Sequence, residues 1–389
     1  MAGVGWGTAR ALAASVAGPV EPVVVPLEAA AGLVVAEDVL ALTDLPATDT
    51  SAMDGWAVAG PPPWRPVGEV LAGARPPALR PGECVAIATG AMLPEGAHAV
   101  LRREQGRQDA AGATTGAAAM VRPESEGLEL PAGTDIRVAG GECRAGDVVL
   151  PAGSTIRPPA LGMLAAAGLD RVSVRRVSAD LLVLGDELLT AGPAREGRLR
   201  DALGPLLTAW LPACGVAVAS RRHVPDTATA LRLALGGCVA DVVVTTGSTA
   251  RGPVDHLHAV LAELGATLVV DGVAVRPGHP QVLALLPDGR PLVGLPGNPL
   301  AAVSGLLTLF GPVAAALSGA PPGPSRRGPL VEEVGAGRDA TRLVPVRDGR
   351  PVLFAGPGML RGLASADAVA VVPPGGVRAG QDVELLALP

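Results

Sequence analysis

Apolar and polar positions follow different patterns in different parts of this chain. Between about residues 178 and 320, short apolar runs such as "ADLLVLG" and "ADVVVTTG" alternate with stretches whose leucines recur at helical spacing. A continuous apolar run that ends in a polar turn is typical of a strand buried on both faces, and strands that alternate with helices indicate a parallel sheet. This region is therefore predicted to be a doubly wound α/β domain.

Two helices and a strand can be delimited within this region. The first helix is predicted from apolar residues at helical spacing, namely Leu199, Leu203, Leu206, Leu207 and Trp210. Gly215 is placed to end it. The segment "VAVASRRHV" then predicts a strand, and Asp226 is predicted to cap the helix of "DTATALRLALGG".

The flanks have the pattern of β-rich domains. Residues 60–135 are short extended pieces interrupted by Pro and Gly, which favours a small β-rich module. The Pro-rich segment 319–329 resembles a linker. The strands predicted after it indicate a C-terminal β-barrel or sandwich.

Composition limits the classes of function. The net charge is −6, so the chain lacks the basic balance of a general nucleic-acid binder. Hydrophobic residues make up 49% of it, yet no apolar run reaches the length of a membrane span, and the N-terminus lacks the pattern of a signal peptide. We therefore expect a cytoplasmic protein that binds neither nucleic acid nor membrane. The 4 cysteines are widely spaced and indicate neither a zinc site nor a disulfide framework.

Three polar loops follow predicted strands, where ligands of parallel α/β sheets bind. They are "GDE" (185–187), "TTGSTARG" (245–252) and "LPGNP" (295–299). Backbone N–H groups and hydroxyls in the second loop have the composition of a phosphate cradle, although an ordinary turn explains that loop alone equally well. Adjacent Asp186 and Glu187 can share Mg²⁺ with a phosphate, or can simply favour a helix N-terminus.

Two further motifs contain polar residues in turns. In "RPGHP" (276–280), Arg276 and His279 lie on either side of a Pro-Gly turn and can direct two donors at one oxyanion, unless the turn is merely solvated. In "SAMDGWAV" (51–58), Ser51 and Asp54 are polar positions in an otherwise apolar stretch.

Taken together and in order, these motifs resemble the molybdopterin molybdenumtransferase family, the MoeA and gephyrin E-domain type. The resemblance extends over nearly the whole chain, including "DLPATDTSAMDGWAV", "ATGAMLPEGAHAVL", "GTDIRVAGGECRAGDVVLPAGSTI", "LGDELL", "DVVVTTGSTARGPVD", "RPGHP" and "GLPGNPLAA". It implies a homodimer whose chains have four parts: a split N-terminal domain (1–46 and 136–177), an inserted small β-rich domain (47–135), a molybdopterin-binding α/β domain (178–320) and a C-terminal β domain (321–389).

The resemblance also implies a reaction and roles for residues. The family inserts molybdenum from molybdate into adenylylated molybdopterin and releases AMP with Mg²⁺, and a molybdopterin adenylyltransferase is a possible partner. The implied catalytic residues are Asp54, Glu187, Asp226 and Asp255. The implied residues for binding molybdopterin and molybdate are Ser51, Thr89, Thr246, Gly247, Ser248, Arg276, His279, Pro296, Gly297 and Asn298. Asp186 and Glu187 are the implied Mg²⁺ ligands.

Several residues depart from the family pattern. Leu184 and Ala301 replace hydroxyl residues, Ser248 replaces a glycine, Pro253 replaces an acid, and His279 replaces a lysine. Two functions remain open at this point. One is a working insertase, and the other is a catalytically impaired paralogue that binds molybdopterin as carrier, scaffold or regulator.

Overall fold

The computed structural model describes residues 3–109, 119–250, 252, 255–321, 323, 325–337 and 339–389. The helices in this part of the chain are α1 Trp6–Ala14, α2 Pro158–Ala166, α3 Leu203–Ala213, α4 Ala228–Gly236, α5 Leu257–Glu263, α6 Pro299–Gly305 and α7 Gly311–Ser318. A π-helical segment, Leu306–Phe310, joins α6 to α7.

The strands before residue 170 are β1 Val4–Gly5, β2 Pro22–Pro26, β3 Val34–Val35, β4 Val39–Leu40, β5 Thr50–Ser51, β6 Gly55–Val58, β7 Arg65–Val70, β8 Glu83–Ile87, β9 Ala99–Arg102, β10 Gly106–Gln108, β11 Val121–Pro123, β12 Ile136–Arg137 and β13 Val148–Leu150. Those after it are β14 Arg171–Arg175, β15 Val177–Leu184, β16 Leu188–Leu189, β17 Leu199–Arg200, β18 Val216–Val224, β19 Val242–Thr246, β20 Thr267–Asp271, β21 Val273–Arg276, β22 Val282–Leu285, β23 Pro291–Leu295, β24 Ser325–Pro329, β25 Thr341–Arg347, β26 Arg350–Pro351, β27 Ala368–Val372 and β28 Asp382–Ala387.

The chain forms two compact units. Unit 1 comprises Met1–Glu37, Ala152–Arg157 and Val172–Pro389, and unit 2 comprises Asp38–Pro151 and Pro158–Arg171. Unit 2 is therefore formed by two separate segments of the chain, both inserted between segments of unit 1.

Unit 1 contains a six-stranded sheet in the order β18-β15-β19-β23-β22-β20. The pairs β18–β15, β15–β19 and β19–β23 are parallel, whereas β22 and β20 are antiparallel additions. Two apolar cores cover its faces: one contains residues of α3, α6 and α7, and the other contains residues of α4 and α5. The doubly wound α/β arrangement predicted from the apolar runs is confirmed.

The C-terminal strands of unit 1 belong to a second, 7-stranded sheet in the order β1-β21-β25-β27-β28-β24, with β26 paired to β25. The predicted C-terminal strands are therefore present, and they share their sheet with β21 and β1 from much earlier in the chain. The pairing of β21 with β25 is parallel. A segment of the α/β region is therefore hydrogen-bonded to the C-terminal strands.

Unit 2 is built on a four-stranded sheet in the order β7-β8-β6-β9, with short two-stranded ladders β10–β11, β12–β5 and β13–β4 around it. The short strands between Pro and Gly turns predicted for residues 60–135 are thus observed. Gly55 at the start of β6 allows close strand packing, because a Cβ atom there would lie 2.0 Å from the carbonyl oxygen of Leu101 in β9.

Two local predictions were wrong. Leu199 lies in strand β17 and not in a helix, because the chain first forms the parallel pair β16–β17 and only then begins α3 at Leu203. The cap of α4 is Thr227, whose hydroxyl accepts a hydrogen bond from the N–H of Ala230 at 3.2 Å. Asp226 is therefore free of that capping role.

One helical run in the described residues is long and apolar enough to cross a membrane. This run, Pro299–Ser318, has a mean hydropathy of 2.0, but 78% of it is buried inside the protein. It is a buried core helix, since it packs against the sheet and α1 in the main apolar core.

Candidate functional site

The carboxyl ends of four parallel strands meet at one edge of the six-stranded sheet of unit 1. In the register, Leu184 of β15 pairs with Val224 of β18, and Val183 pairs with Thr246 of β19, which in turn pairs with Leu295 of β23. The loops that follow these strands therefore emerge side by side. These loops carry residues 185–187, 226, 246–248 and 296–298, which include the site residues that the sequence predicts in this region.

Two glycines bring the loops after β19 and β23 close together. A Cβ atom at Gly297 would lie 3.7 Å from the Cα atom of Gly247, and the N–H of Gly247 donates to the carbonyl of Leu295 at 2.9 Å. Pro296 is buried, while Gly297 and Asn298 are exposed. The pair of loops thus presents backbone and one amide side chain to solvent at the sheet edge, as a flat heterocycle or a phosphate requires.

The hydroxyl residues after β19 are mostly used within the protein. Thr246 is only 2% exposed. Ser248 adopts a left-handed conformation (φ 57°), and its hydroxyl accepts a hydrogen bond from the N–H of His256 at 2.9 Å, just before α5. A serine at this position has less conformational freedom than a glycine, but its hydroxyl bonds the loop to the residue that precedes α5. Pro253 lies outside the described residues.

Asp186 and Asp226 are joined by reciprocal hydrogen bonds. The N–H of Asp186 donates to the Asp226 carboxylate at 3.0 Å, and the N–H of Asp226 donates to the Asp186 carboxylate at 3.4 Å. The two carboxylates therefore lie together at the sheet edge, and exposed Glu187 follows in the same loop. Arg198 supports the loop by donating to the carbonyls of Asp186 and Leu188 at 3.1 Å.

These carboxylates do not form a complete metal site by themselves. Among the described residues, no group of three or more His, Cys, Asp or Glu side chains is arranged to hold a metal ion. Mg²⁺ commonly uses only one or two protein carboxylates when substrate phosphates supply other ligands. Asp186 and Asp226 supply two such carboxylates, so they fit a cation that a phosphate also binds.

Asp255 organises its own turn. Its carboxylate accepts a hydrogen bond from the N–H of Gly252 at 2.6 Å, and its N–H donates to the carbonyl of Gly252 at 3.1 Å. This closes the end of the 245–252 loop before α5. One carboxylate oxygen is committed to the turn.

The 276–280 turn packs against α6. Gly278 has a φ of 102°, and a Cβ atom there would lie 2.8 Å from the carbonyl oxygen of Ala301 and 3.0 Å from the Ser304 side chain. Only glycine meets both requirements. The turn is thereby fixed beside the first residues of the helix that follows Asn298.

Arg276 and His279 are both exposed, but they differ in their hydrogen bonds. His279 donates through Nδ1 to the carbonyl of Val273 at 2.7 Å, and its ring lies against Gly272. Arg276 is exposed, and within the described residues it takes part in no ion pair. In the parallel register of β21 with β25, the partner of Arg276 is Arg342. Sequence inspection missed Arg342, because only strand pairing reveals that neighbour.

The start of α6 is closed by main-chain bonds. The N–H groups of Leu300 and Ala301 donate to the carbonyl of Pro357 at 2.9 and 3.3 Å. Gly358 lies close to the same place, since a Cβ atom there would be 3.5 Å from Oδ1 of Asn298. The C-terminal segment around Pro357 therefore borders the "LPGNP" loop.

In unit 2, Asp54 and Thr89 lie together. One Asp54 carboxylate oxygen accepts hydrogen bonds from the N–H of Thr89 at 2.7 Å and from its hydroxyl at 3.0 Å. These two bonds, first from the backbone and then from the side chain, hold the pKa of Asp54 below its ordinary value. Asp54 is exposed and stays ionised.

Ser51 has a different part in the same loop. It is fully buried, and its hydroxyl donates to the carbonyl of Met53 at 2.5 Å. Its backbone pairs with Ile136 of β12, and neighbouring Ala52 donates to the carbonyl of Asp135 at 2.8 Å. Ser51 therefore shapes the loop that presents Asp54.

Two departures from the family pattern are buried. Leu184 is 5% exposed and belongs to the apolar core that contains α4 and α5, and Ala301 is 4% exposed. A hydroxyl is thus absent at the end of β15 and in the first turn of α6. The apolar side chains contribute to the core in those places.

Comparison with protein families divides the chain into three matching regions. Residues 6–168 match the MoeA N-terminal region (domain I and II), residues 180–316 a probable molybdopterin binding domain, and residues 330–388 the MoeA C-terminal region (domain IV).

Similar proteins and structures agree with these matches. A molybdopterin molybdenumtransferase of Synechococcus elongatus is 33% identical over 71% of this chain and 70% of its own, and one of Staphylococcus epidermidis is 28% identical over 92% and 90%. The crystal structure of a molybdopterin biosynthesis moeA protein from Pyrococcus horikoshii OT3 shares the fold, with a TM-score of 0.79 and 22% identity over 99% of this chain and 100% of that one. This chain belongs to the molybdopterin molybdenumtransferase family of the MoeA type.

Proposed function

We propose that this protein inserts molybdenum from molybdate into adenylylated molybdopterin and releases AMP. The observation that carries the proposal is the meeting of four strand ends, with an acidic pair and a two-glycine contact, at one edge of the six-stranded sheet of unit 1. A phosphate-bearing heterocycle and an oxyanion need this combination of groups.

The pterin and its phosphates are assigned to the two glycine-containing loops. Thr246, Gly247 and Ser248 supply one side, and Pro296, Gly297 and Asn298 supply the other. The contact between Gly247 and Gly297 supports this assignment, because backbone without side chains allows close approach by a flat ligand.

Molybdate is assigned to the 276–280 turn. Arg276 supplies the charge, and a planar guanidinium can bind a tetrahedral oxyanion through two hydrogen bonds. Arg342, its partner in the parallel register, adds positive charge beside it. His279 is assigned a positioning role, since Nδ1 is already bonded to Val273.

Mg²⁺ is assigned to Asp186 and Asp226 with Glu187 nearby. When bound together with the substrate phosphates, the cation would reduce the negative charge that builds up as AMP leaves. The reciprocal bonds between Asp186 and Asp226 fix the two carboxylates that would hold it. Asp255 fixes the adjoining loop.

Asp54 is assigned to the hydrolytic part of the reaction, in which water attacks the phosphoanhydride and AMP is the leaving group. A carboxylate with a lowered pKa is a weak base but a permanent negative charge. Asp54 therefore orients the attacking water, while Thr89 and Ser51 fix Asp54.

Finer features of the family are proposed for this chain as well. The four parts 1–46 with 136–177, 47–135, 178–320 and 321–389 are proposed domains, and the chain is proposed to act as a cytoplasmic homodimer. A molybdopterin adenylyltransferase is the proposed supplier of the substrate. Light scattering at micromolar concentration tests the dimer, and a monomeric mass would contradict it.

The activity is tested by mixing the full-length protein with adenylylated molybdopterin, Mg²⁺ and molybdate. AMP release and molybdenum retained on the pterin should both appear and should both depend on molybdate. Asp54→Asn keeps the size of the side chain and removes its charge, so AMP release should fall by about a hundredfold or more. Asp109→Asn, also in unit 2 and paired with Arg107 and Arg122, is the matched control and should leave the rate unchanged.

A second function is favoured by the buried Leu184 and Ala301, which leave fewer hydroxyl donors at the sheet edge. In that case the protein binds molybdopterin as carrier, scaffold or regulator. Tight binding of the pterin without AMP release would support this alternative. Insertion at the rate of a working relative would exclude it.

A further inference from the structure

Gln281, the residue that follows the 276–280 turn, is a buried polar side chain that the proposed reaction does not use. It is 0% exposed, and its Oε1 has no hydrogen-bond partner within the described residues. Its Nε2 donates to the hydroxyl of Ser304 in α6 at 3.3 Å. Burial of this amide costs stability, because the oxygen loses its bonds to water and gains no other. The stability of the core therefore does not explain why a glutamine stands at this position.

The backbone of Gln281 closes the base of the same turn. Its N–H donates to the carbonyl of His279 at 2.8 Å, and its carbonyl accepts a hydrogen bond from the N–H of Gly272 at 2.8 Å. The N–H of Val273 donates to the carbonyl of His279 at 2.9 Å. The segments before and after the turn are thus bonded to each other. A displacement of Gln281 therefore displaces the turn with it.

Ser304 of α6 is contacted both by the turn and by the residue behind it. Its hydroxyl accepts the bond from Gln281, and a Cβ atom at Gly278 would lie 3.0 Å from the Ser304 side chain. Two contacts with one residue fix the turn against α6, whereas a single contact would leave it free to pivot. Because α6 begins directly after Asn298, Ser304 links the turn to the loop that is assigned to the pterin.

Ser304 is itself held by a buried series of hydrogen bonds. Its carbonyl accepts a bond from the hydroxyl of Thr308 at 2.6 Å, and that hydroxyl accepts a bond from Nε1 of Trp6 in α1 at 3.2 Å. Ser304 is 2% exposed and Thr308 is 0% exposed. Closely packed and bonded side chains have few alternative positions. The residue to which Gln281 ties the turn is therefore a fixed point of unit 1.

We propose that Gln281 is a positioning residue, which acts through Ser304 to hold the 276–280 turn and its molybdate at a fixed place relative to the pterin loop 296–298. This inference rests on the proposed function, because it needs the two ligands at those two segments. Reactants held in the correct relative position react much faster, and a misplacement of about 1 Å can cost about a hundredfold in rate. Gln281 therefore acts on the rate of insertion and not on the affinity for either ligand.

The test compares Gln281→Met, Ser304→Ala and the double variant in the full-length protein. Methionine has nearly the volume of glutamine but cannot donate to Ser304. Each single variant should lower the kcat for AMP release and for molybdenum retained on the pterin by about tenfold. The Kd of molybdate and the Kd of adenylylated molybdopterin, each measured alone by titration calorimetry, should change by less than about threefold, because the contacts with each ligand are unaltered.

The double variant separates positioning from a loss of stability. Its kcat should equal that of the single variants, because either change breaks the same contact and the effects are then not additive. Its midpoint of denaturant unfolding should lie close to that of the wild type or above it. The reason is that apolar replacement of both partners leaves neither of them as an unsatisfied polar group. Activity is then lost while stability is kept, which a merely structural role does not allow.

Ser318→Ala is the matched control for Ser304→Ala. Ser318 is a buried serine of α7, and its hydroxyl donates to the carbonyl of Ala314 in the same helix at 2.8 Å. This variant therefore removes a buried helix hydroxyl that is bonded within its own helix and not to the turn. Its kcat should stay within about twofold of the wild-type value.

Three outcomes overturn the proposal while the insertase function stands. In the first, Gln281→Met and Ser304→Ala have the same kcat as the control in an active wild type. In the second, kcat falls only in step with the unfolding midpoint, so the role of Gln281 is structural. In the third, the Kd of molybdate rises about tenfold or more at unchanged kcat, so Gln281 shapes the molybdate contacts themselves. A wild type that neither binds molybdate nor releases AMP overturns the proposed function together with this inference.

Discussion

The Asp54 loop of unit 2 and the 276–280 turn of unit 1 look alike in sequence, because each places a polar side chain beside a glycine in an apolar context. The structure uses them differently. Asp54 is exposed, and Thr89 stabilises its charged form, whereas the His279 ring is bonded to the carbonyl of Val273 in β21. A polar residue beside a tightly packed glycine can therefore face a ligand or support the chain, and its hydrogen-bond partners distinguish the two.

The largest effect that would sharpen this comparison is expected at Arg276. Replacing Arg276 with Ala removes the exposed charge of the turn, so the KM for molybdate should rise by about a hundredfold, the range of a charged hydrogen bond. Steady-state kinetics of AMP release measure it. Arg347→Ala, at the far end of β25, serves as the control, and equal behaviour of the two variants would remove Arg276 from the site.

A large effect on stability is expected at Gly55. In Gly55→Ala the added methyl group would overlap the carbonyl of Leu101, so the two strands would have to move apart. This movement should lower the free energy of unfolding by about 1–3 kcal/mol. Denaturant unfolding of the full chain measures the change. Gly162→Ala in α2 of the same unit meets no neighbour within 4 Å and should instead stabilise it slightly. Equal stability of the two variants would show that β6 and β9 separate more easily than their register indicates.

A smaller and divided effect is expected at His279. His279→Ala loses the bond to Val273, so stability should fall by about 1 kcal/mol. The Kd for molybdate should change less than threefold, because the ring is a support for the turn. Calorimetry and thermal unfolding on one preparation separate the two readouts. A tenfold loss of molybdate affinity at unchanged stability would contradict this prediction and would indicate that His279 binds the oxyanion directly.

The smallest effect is expected in the pH dependence of the Asp54 loop. Thr89→Val keeps the backbone bond to Asp54 and removes the hydroxyl bond, so the pKa of Asp54 should rise toward its ordinary value. A carboxylate whose pKa is lower in the folded than in the unfolded protein stabilises the fold at pH values above its unfolded pKa. This stabilisation is lost as the pH falls through its folded pKa. The acid limb of the pH–rate profile should therefore shift to higher pH. An unshifted limb would mean that another group controls it.

Sequence patterns were sufficient for the sheet and for the loops at its edge. Apolar runs such as that of β15 have to be buried on both faces, and parallel strands bring their polar ends to one side. The family resemblance, carried by motifs such as "LPGNP", is confirmed by the matching family regions. The roles of individual site residues stay predictions.

Other features depended on pairings between distant segments. No local pattern reveals that Arg342 lies beside Arg276, that Pro357 caps α6, or that Asp226 meets Asp186 while Thr227 caps α4. Leu199 satisfied helical spacing, but pairing with Leu188 placed it in a strand. Apart from the local Thr227 cap, hydrogen bonds between separate segments decided these cases over local propensity.

The bonds from Leu300 and Ala301 to Pro357 also have a thermodynamic consequence. They tie the C-terminal segment to the helix that begins at the proposed pterin loop, so any local opening that frees this segment also disturbs the loop. A ligand that binds only the closed form must then raise the free energy of opening, by about 2.7 kcal/mol at a concentration of a hundred times its Kd. A ligand bound at the proposed pterin loop would thus protect the last sixty or so residues of the chain against proteolysis. This protection would increase with the fraction of protein that has ligand bound.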